Sequence, residues 1–147
     1  MSTITLSQIT GSLGRAWSDA VGSTIPTIYP YLFVNTESWS AWYELRIDSW
    51  EPRWPRAGDP LHGEVRVTVT VSVKPSTDLA QGPELVAQAR SVFSGQAIAV
   101  RNAASDPILG RMRFGDAKVE NLSAKSTHPG GQLWQLYWTG EVLAEQE

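Results

Sequence analysis

At 147 residues the chain has room for one domain with a sizeable core, but not for two independent ones. Hydrophobic residues at 41% and charged residues at 18% make a globular composition and exclude a disordered one. A formal net charge of -3 gives no general pull toward a phosphate backbone, and no long apolar run marks a membrane span, so neither specific nucleic-acid binding nor membrane insertion is expected.

The first element in chain order reads as a helix. Thr5 and Gln8 have capping-box spacing, and Ile4 with Ile9 can form the accompanying hydrophobic staple. Ile9, Leu13, Ala16, Trp17 and Ala20 then fall on one helical stripe, which Gly22 stops. Gly11 and Gly14 each cost about 1 kcal/mol relative to alanine, so this helix depends on tertiary packing. The stretch ahead of Arg15 has neither a basic residue nor a continuous apolar core, so no Sec-type signal peptide is expected.

After Pro26 and Pro30, residues 31–35 read as extended and apolar. Between Trp39 and Trp50, Ala41, Tyr43, Leu45 and Ile47 alternate with Trp42, Glu44, Arg46 and Asp48, the period of a half-exposed strand. From Gly63, Val65, Val67, Val69, Val71 and Val73 alternate with polar residues, which puts all the valines on one face of a strand that Pro75 ends. A second helix is predicted from about Gly82, with Pro83 at its first position and Leu85, Val86, Ala89, Val92 and Phe93 on its apolar face, up to Gly95. Residues 99–110 read as a loop. Two strands, at about 111–123 and 132–143, then flank the turn His128-Pro129-Gly130-Gly131. Short links between strands favour antiparallel pairing. The predicted fold is therefore a single α+β domain over residues 1–147, mainly an antiparallel sheet of about five strands with two helices packed on one face.

Catalytic, metal and cofactor signatures are weak. The chain has no cysteine, which excludes disulfides and thiolate metal sites and fits a reducing compartment. His62 and His128 sit beside turn residues without a second ligand at metal spacing, and both read as ordinary loop residues. Asp48, Glu51 and Asp59 are carboxylates near a strand end, where solvated charges are the usual case. Gly11-Ser12-Leu13-Gly14 has the spacing of a KH loop but lies inside an amphipathic helix without a basic surround. The expectation is a protein that is not an enzyme and carries no cofactor.

Seven tryptophans are more than a core of this size requires. The densest stretch is Trp50-Glu51-Pro52-Arg53-Trp54-Pro55-Arg56, running on to Pro60. It reads either as a contact loop, with prolines lowering the entropy of ordering, or as a loop folded back over the domain's own core. Contact is the reading favoured for Arg53, Trp54 and Arg56, while Trp50 is balanced between the two. In the last strand Trp134, Leu136 and Trp138 project from one face opposite Leu133, Gln135 and Tyr137. A strand apolar on both faces is buried twice or covered by another subunit, which gives self-association a physical motive. The expected interface set is Trp50, Arg53, Trp54, Arg56, Trp134 and Trp138.

From about Ile28 to Leu143 the pattern resembles the tail terminator, or tail-completion, proteins of long-tailed bacteriophages. An early strand leads to the aromatic strand Ala41-Trp42-Tyr43-Glu44-Leu45-Arg46-Ile47, and a glycine opens the long strand Gly63-Glu64-Val65-Arg66-Val67-Thr68-Val69. A helix ends Ser91-Val92-Phe93-Ser94-Gly95, and a strand pair finishes with Leu133-Trp134-Gln135-Leu136-Tyr137-Trp138. The resemblance implies a homohexameric ring on the head-proximal end of the tail tube. Such a ring stops tube polymerisation and gives the head connector or stopper a surface to join. It implies a location at the tail neck of the virion, with assembly in the host cytoplasm. Within the same junction, a stopper or a tube protein is the alternative. From another class, a carbohydrate-binding module would stack sugars on Trp39, Trp42 and Trp54.

Overall fold

The computed structural model describes residues 4–53 and 62–144. Helix α1 (Leu6–Val21) starts where the capping box predicts: the Thr5 hydroxyl accepts from the Gln8 amide and the Gln8 side chain accepts from the Thr5 amide. Its buried stripe is Ile9, Leu13, Trp17 and Val21, a strict spacing of four. Ala20, expected on that stripe, faces solvent because the helix turns Val21 inward instead.

The sheet contains β1 (Thr27–Ile28), β2 (Ala41–Arg53), β3 (His62–Val73), β4 (Ala97–Val100), β5 (Gly110–Phe114), β6 (Lys118–Asn121) and β7 (Gln132–Ala144). Helix α2 (Gln81–Phe93) follows β3, and a short 3₁₀ turn (Ser123–Lys125) follows β6. Strands run in the order β1-β2-β3-β7-β5-β4, and β6 lies beside β7 on the side that β5 occupies further along. The α+β architecture with both helices on one face is as expected, but the sheet is mixed and has seven strands, not about five. The additional strands are short ones that a period-of-two reading passes over.

Local irregularities account for the differences. Residues 99–110, expected as a loop, begin inside β4, which pairs with β5 from Ala97 opposite Arg113 to Val100 opposite Gly110. The strand expected at 111–123 is divided: Phe114 lies opposite Gly140 and Lys118 opposite Tyr137, so Gly115, Asp116 and Ala117 face only Trp138 and Thr139. That extra residue is a β-bulge. Helix α2 starts at Gln81, so Pro83 falls at its third position, still in the first turn where no amide donor is needed. Gly95 follows it with φ +70, a left-handed conformation that suits glycine. His62, read as a loop residue, opens β3 opposite Arg53 and Leu143.

A further bulge lies in β2. Ile47 is opposite Val67 but Ser49 is opposite Arg66, so Asp48 is the extra residue. Before the bulge Tyr43 and Leu45 face the helices. After it Trp50, paired with Val65, faces the same way. A single extra residue thus turns Trp50 over, away from the face carrying Trp42, Glu44 and Arg46.

The core lies between this face and the helices. The predicted valines Val65, Val67, Val69, Val71 and Val73 are all buried there, with Leu136, Trp138 and Val142 of β7. Burying each valine contributes roughly 1.5–3 kcal/mol before entropy is subtracted. At the centre Trp17 meets the edge of Tyr43, with centroids 5.1 Å apart, and Phe93 lies 5.4 Å from both Phe114 and Trp138. The indole of Trp17 donates to Thr27 Oγ1 at 2.9 Å, and the Tyr43 hydroxyl, whose pKa burial pushes up, donates to the Leu85 carbonyl at 2.9 Å. Polar ends of buried aromatics are therefore satisfied. Gly140 is required opposite Phe114: a Cβ there would lie 2.5 Å from the ring.

Candidate functional site: an exposed apolar segment and its surroundings

β1 and β2 are parallel neighbours, with Thr27 opposite Tyr43. Parallel neighbours require the chain to travel back along the sheet before re-entering it. Residues 29–40 make that return journey, and this is why residues 31–35, expected as an extended apolar element, lie outside their own sheet. The consequence is an uncovered apolar tip. Phe33 is 98% exposed, Tyr31 78% and Leu32 61%.

The tip is held at both ends. On one side the Tyr29 ring lies against Gly14 of α1, and the Leu32 amide donates to the Tyr29 carbonyl at 3.2 Å. On the other, Lys74 Nζ donates to the carbonyls of Thr36 at 3.2 Å and Glu37 at 2.7 Å. Tyr31 has φ +67, which a non-glycine residue adopts at a cost of about 1–2 kcal/mol. Large apolar side chains thus stand uncovered on an anchored, locally strained turn. The Tyr-Leu-Phe-Val run is visible in the sequence, but its exposure follows from the parallel β1–β2 pairing, which the sequence does not announce.

The residues expected at an interface are scattered. Trp138 is 2% exposed and belongs to the core, its indole donating to Ser94 Oγ at 3.0 Å. It corrects the expectation, because the α2 layer covers that face of β7. Trp134 is half-buried on the same face, bonded to Gln132 Oε1 at 3.1 Å. Trp50 packs against the core margin over Gly63, where a Cβ would come within 2.6 Å of its ring. Arg53 is exposed at the end of β2, 4.0 Å from Glu64. Trp54 and Arg56 lie outside the described residues.

The opposite sheet face is polar and half-open. Asp48 on its bulge accepts from Arg46 Nε at 3.0 Å and from the buried hydroxyl of Thr68, so this carboxylate is engaged in structure. The Tyr137 hydroxyl bonds Gln135 and sits near Glu120; partial burial and that carboxylate raise its pKa. At one end of this face Trp42, His128 and Trp39 cluster beside Lys74. Trp42 is 8% exposed and inclined at 50° to Trp39, which does not make a flat platform for sugar rings. Asp59 and Trp54 lie outside the described residues.

At the far margin Arg90 of α2 pairs with Asp116 of the β5–β6 bulge, with Nε 2.9 Å from Oδ1. The hydrogen bond from Arg90 holds the Asp116 carboxyl down at about 2. Ser94 Oγ also accepts from the Ala117 amide at 3.2 Å, tying the bulge to the helix end. Among the described residues, no group of three or more His, Asp or Glu side chains is arranged to hold a metal ion, and no helix is long and apolar enough to cross a membrane. Compared with known proteins, the chain matches no family model and no curated protein.

Proposed function

We propose that this chain is a ring-forming structural subunit of the tail-terminator type. It caps the head-proximal end of a phage tail tube, stops polymerisation and presents the surface that the head connector or stopper joins. The mechanism is binding and geometry, without catalysis or a cofactor, and its place is the tail neck of the virion after assembly in the host cytoplasm. The observation that carries the reading is the anchored apolar tip at Tyr31, Leu32 and Phe33, set on a domain whose core is already complete. Such a tip is unfavourable on an isolated subunit and useful on one that meets neighbours. The order of aromatic strand, valine strand, short helix and tryptophan-rich last strand supports the same family likeness. Arg53, with Trp54 and Arg56 beyond it, is a second contact element in this proposal.

Negative-stain images of the purified protein, alone and with tail-tube subunits, test the reading. Closed rings of one diameter, and tubes capped at one end, are the expected result. Long cylinders formed by the protein alone would identify a tube subunit instead, and monomers under every condition would contradict both. Replacing Trp54 and Arg56 with alanine is expected to weaken the rings while leaving the subunit folded.

A further inference from the structure

The apolar tip belongs to the connection between β1 and β2, at one end of the strand order, and the other end has a complementary feature. There β6 pairs only with β7 among the described strands. The Leu122 amide donates to the Leu133 carbonyl at 2.7 Å. Antiparallel alternation from that bond turns the backbone groups of Lys118 and Glu120 toward β7 and those of Val119 and Asn121 outward. Beside this edge, Pro83, Val86 and Ala87 of α2 and Val119 of β6 line an open hollow of about 510 Å³. Arg90 stands at its rim, fixed by Asp116.

We propose that residues 32–34 of one copy add as a short strand to the β6 edge of a second copy and place Leu32 or Phe33 in the hollow under α2. This rests on the ring-forming reading and names the two patches that would build the ring. Leu32, Phe33 and Val34 follow the turn at Tyr31 and can extend, yet their own sheet gives them no partner strand. β6 is four residues long, enough to pair with this run, and among the described strands its outer edge is unpaired. Main-chain bonds would give affinity and the apolar side chains register, as in other strand additions. The patches lie toward opposite ends of one strand order, so a subunit cannot use its own. Copies joined head to tail through these two patches make the heterologous contact that closes into rings, whereas a reciprocal exchange of tips would stop at a dimer. The anchors at Tyr29 and Lys74 hold the tip ready, which reduces the entropy lost on docking.

The absence of native cysteines permits a direct test by paired substitution. The double variant Leu32→Cys with Val119→Cys, treated with a short bis-maleimide, is expected to give a ladder of covalent oligomers ending at one closed size. Mixing the two single variants is expected to give dimers only, since each retains one reactive patch, and neither single variant alone should cross-link. Ala87→Cys provides a second acceptor on the helical wall of the same hollow, and circular dichroism checks that each variant is folded. Leu32→Asp is expected to weaken association about tenfold or more. Rings seen by microscopy without cross-linking at either acceptor would overturn this contact and leave the ring reading intact. Efficient cross-linking of Leu32→Cys to itself would also overturn it, in favour of a symmetric contact. A wild-type protein that never assembles, alone or with tube subunits, would overturn both.

Discussion

Two groups of aromatic and aliphatic side chains divide this molecule. Trp17, Tyr43, Phe93 and Trp138 sit between helices and sheet, in edge and tilted contacts, with their polar atoms bonded. Tyr31, Leu32 and Phe33 have similar chemistry and almost no cover. The difference lies in topology. The first group is carried by strands and helices that share one face, the second by the return connection that parallel β1 and β2 impose. Similar residues thus hold the domain together in one place and stay exposed in the other.

The comparison predicts very different costs for similar substitutions. Trp17→Ala in the centre of the core is expected to lower stability by about 3–5 kcal/mol, read as a shift of the urea midpoint. A cost below about 1 kcal/mol would show that the helices are not welded to the sheet there. Gly140→Ala, which drives a methyl into the Phe114 ring, is expected to cost about 1–3 kcal/mol. Phe114→Leu should recover part of that loss in the double variant, since the two sites share one contact. Thr5→Ala removes a cap outside the core and is expected to cost about 1 kcal/mol by thermal denaturation.

The smallest effect concerns Asp116. Its folded carboxyl titrates at about 2, below the ordinary 3.8, so the Arg90 pair contributes stability above the ordinary value that is lost as pH falls through about 2. Asp116 is exposed, so solvent screening keeps this contribution small. A carbon-detected NMR titration of the Asp116 carboxyl should show the lowered midpoint, and Arg90→Gln should return it to the ordinary range. An unchanged midpoint would remove the pair as a fastening of the bulge to α2.

Much of the frame was legible in the sequence. The alternation from Val65 to Val73 located the central strand and its buried face, and Thr5 with Gln8 located the start of α1. Both are local signals, decided by residues near one another. The tryptophans were harder to sort because their burial depends on distant events. One extra residue at Asp48 turned Trp50 to the helix side, and α2 arrived to cover Trp138. The apolar character of residues 31–35 was legible, but their exposure was not, since it follows from a pairing of Thr27 with Tyr43 that no local pattern encodes.

The central claim is that the core serves folding while the tip at residues 31–33 serves association. Light scattering coupled to size-exclusion chromatography tests it most directly, comparing the wild type with a Leu32→Asp, Phe33→Asp double variant over a range of concentrations. The expected result is a wild type that reaches one closed multiple of the subunit mass and a variant that stays monomeric, with unfolding midpoints of the isolated subunits alike. A variant that assembles as the wild type does would contradict the account.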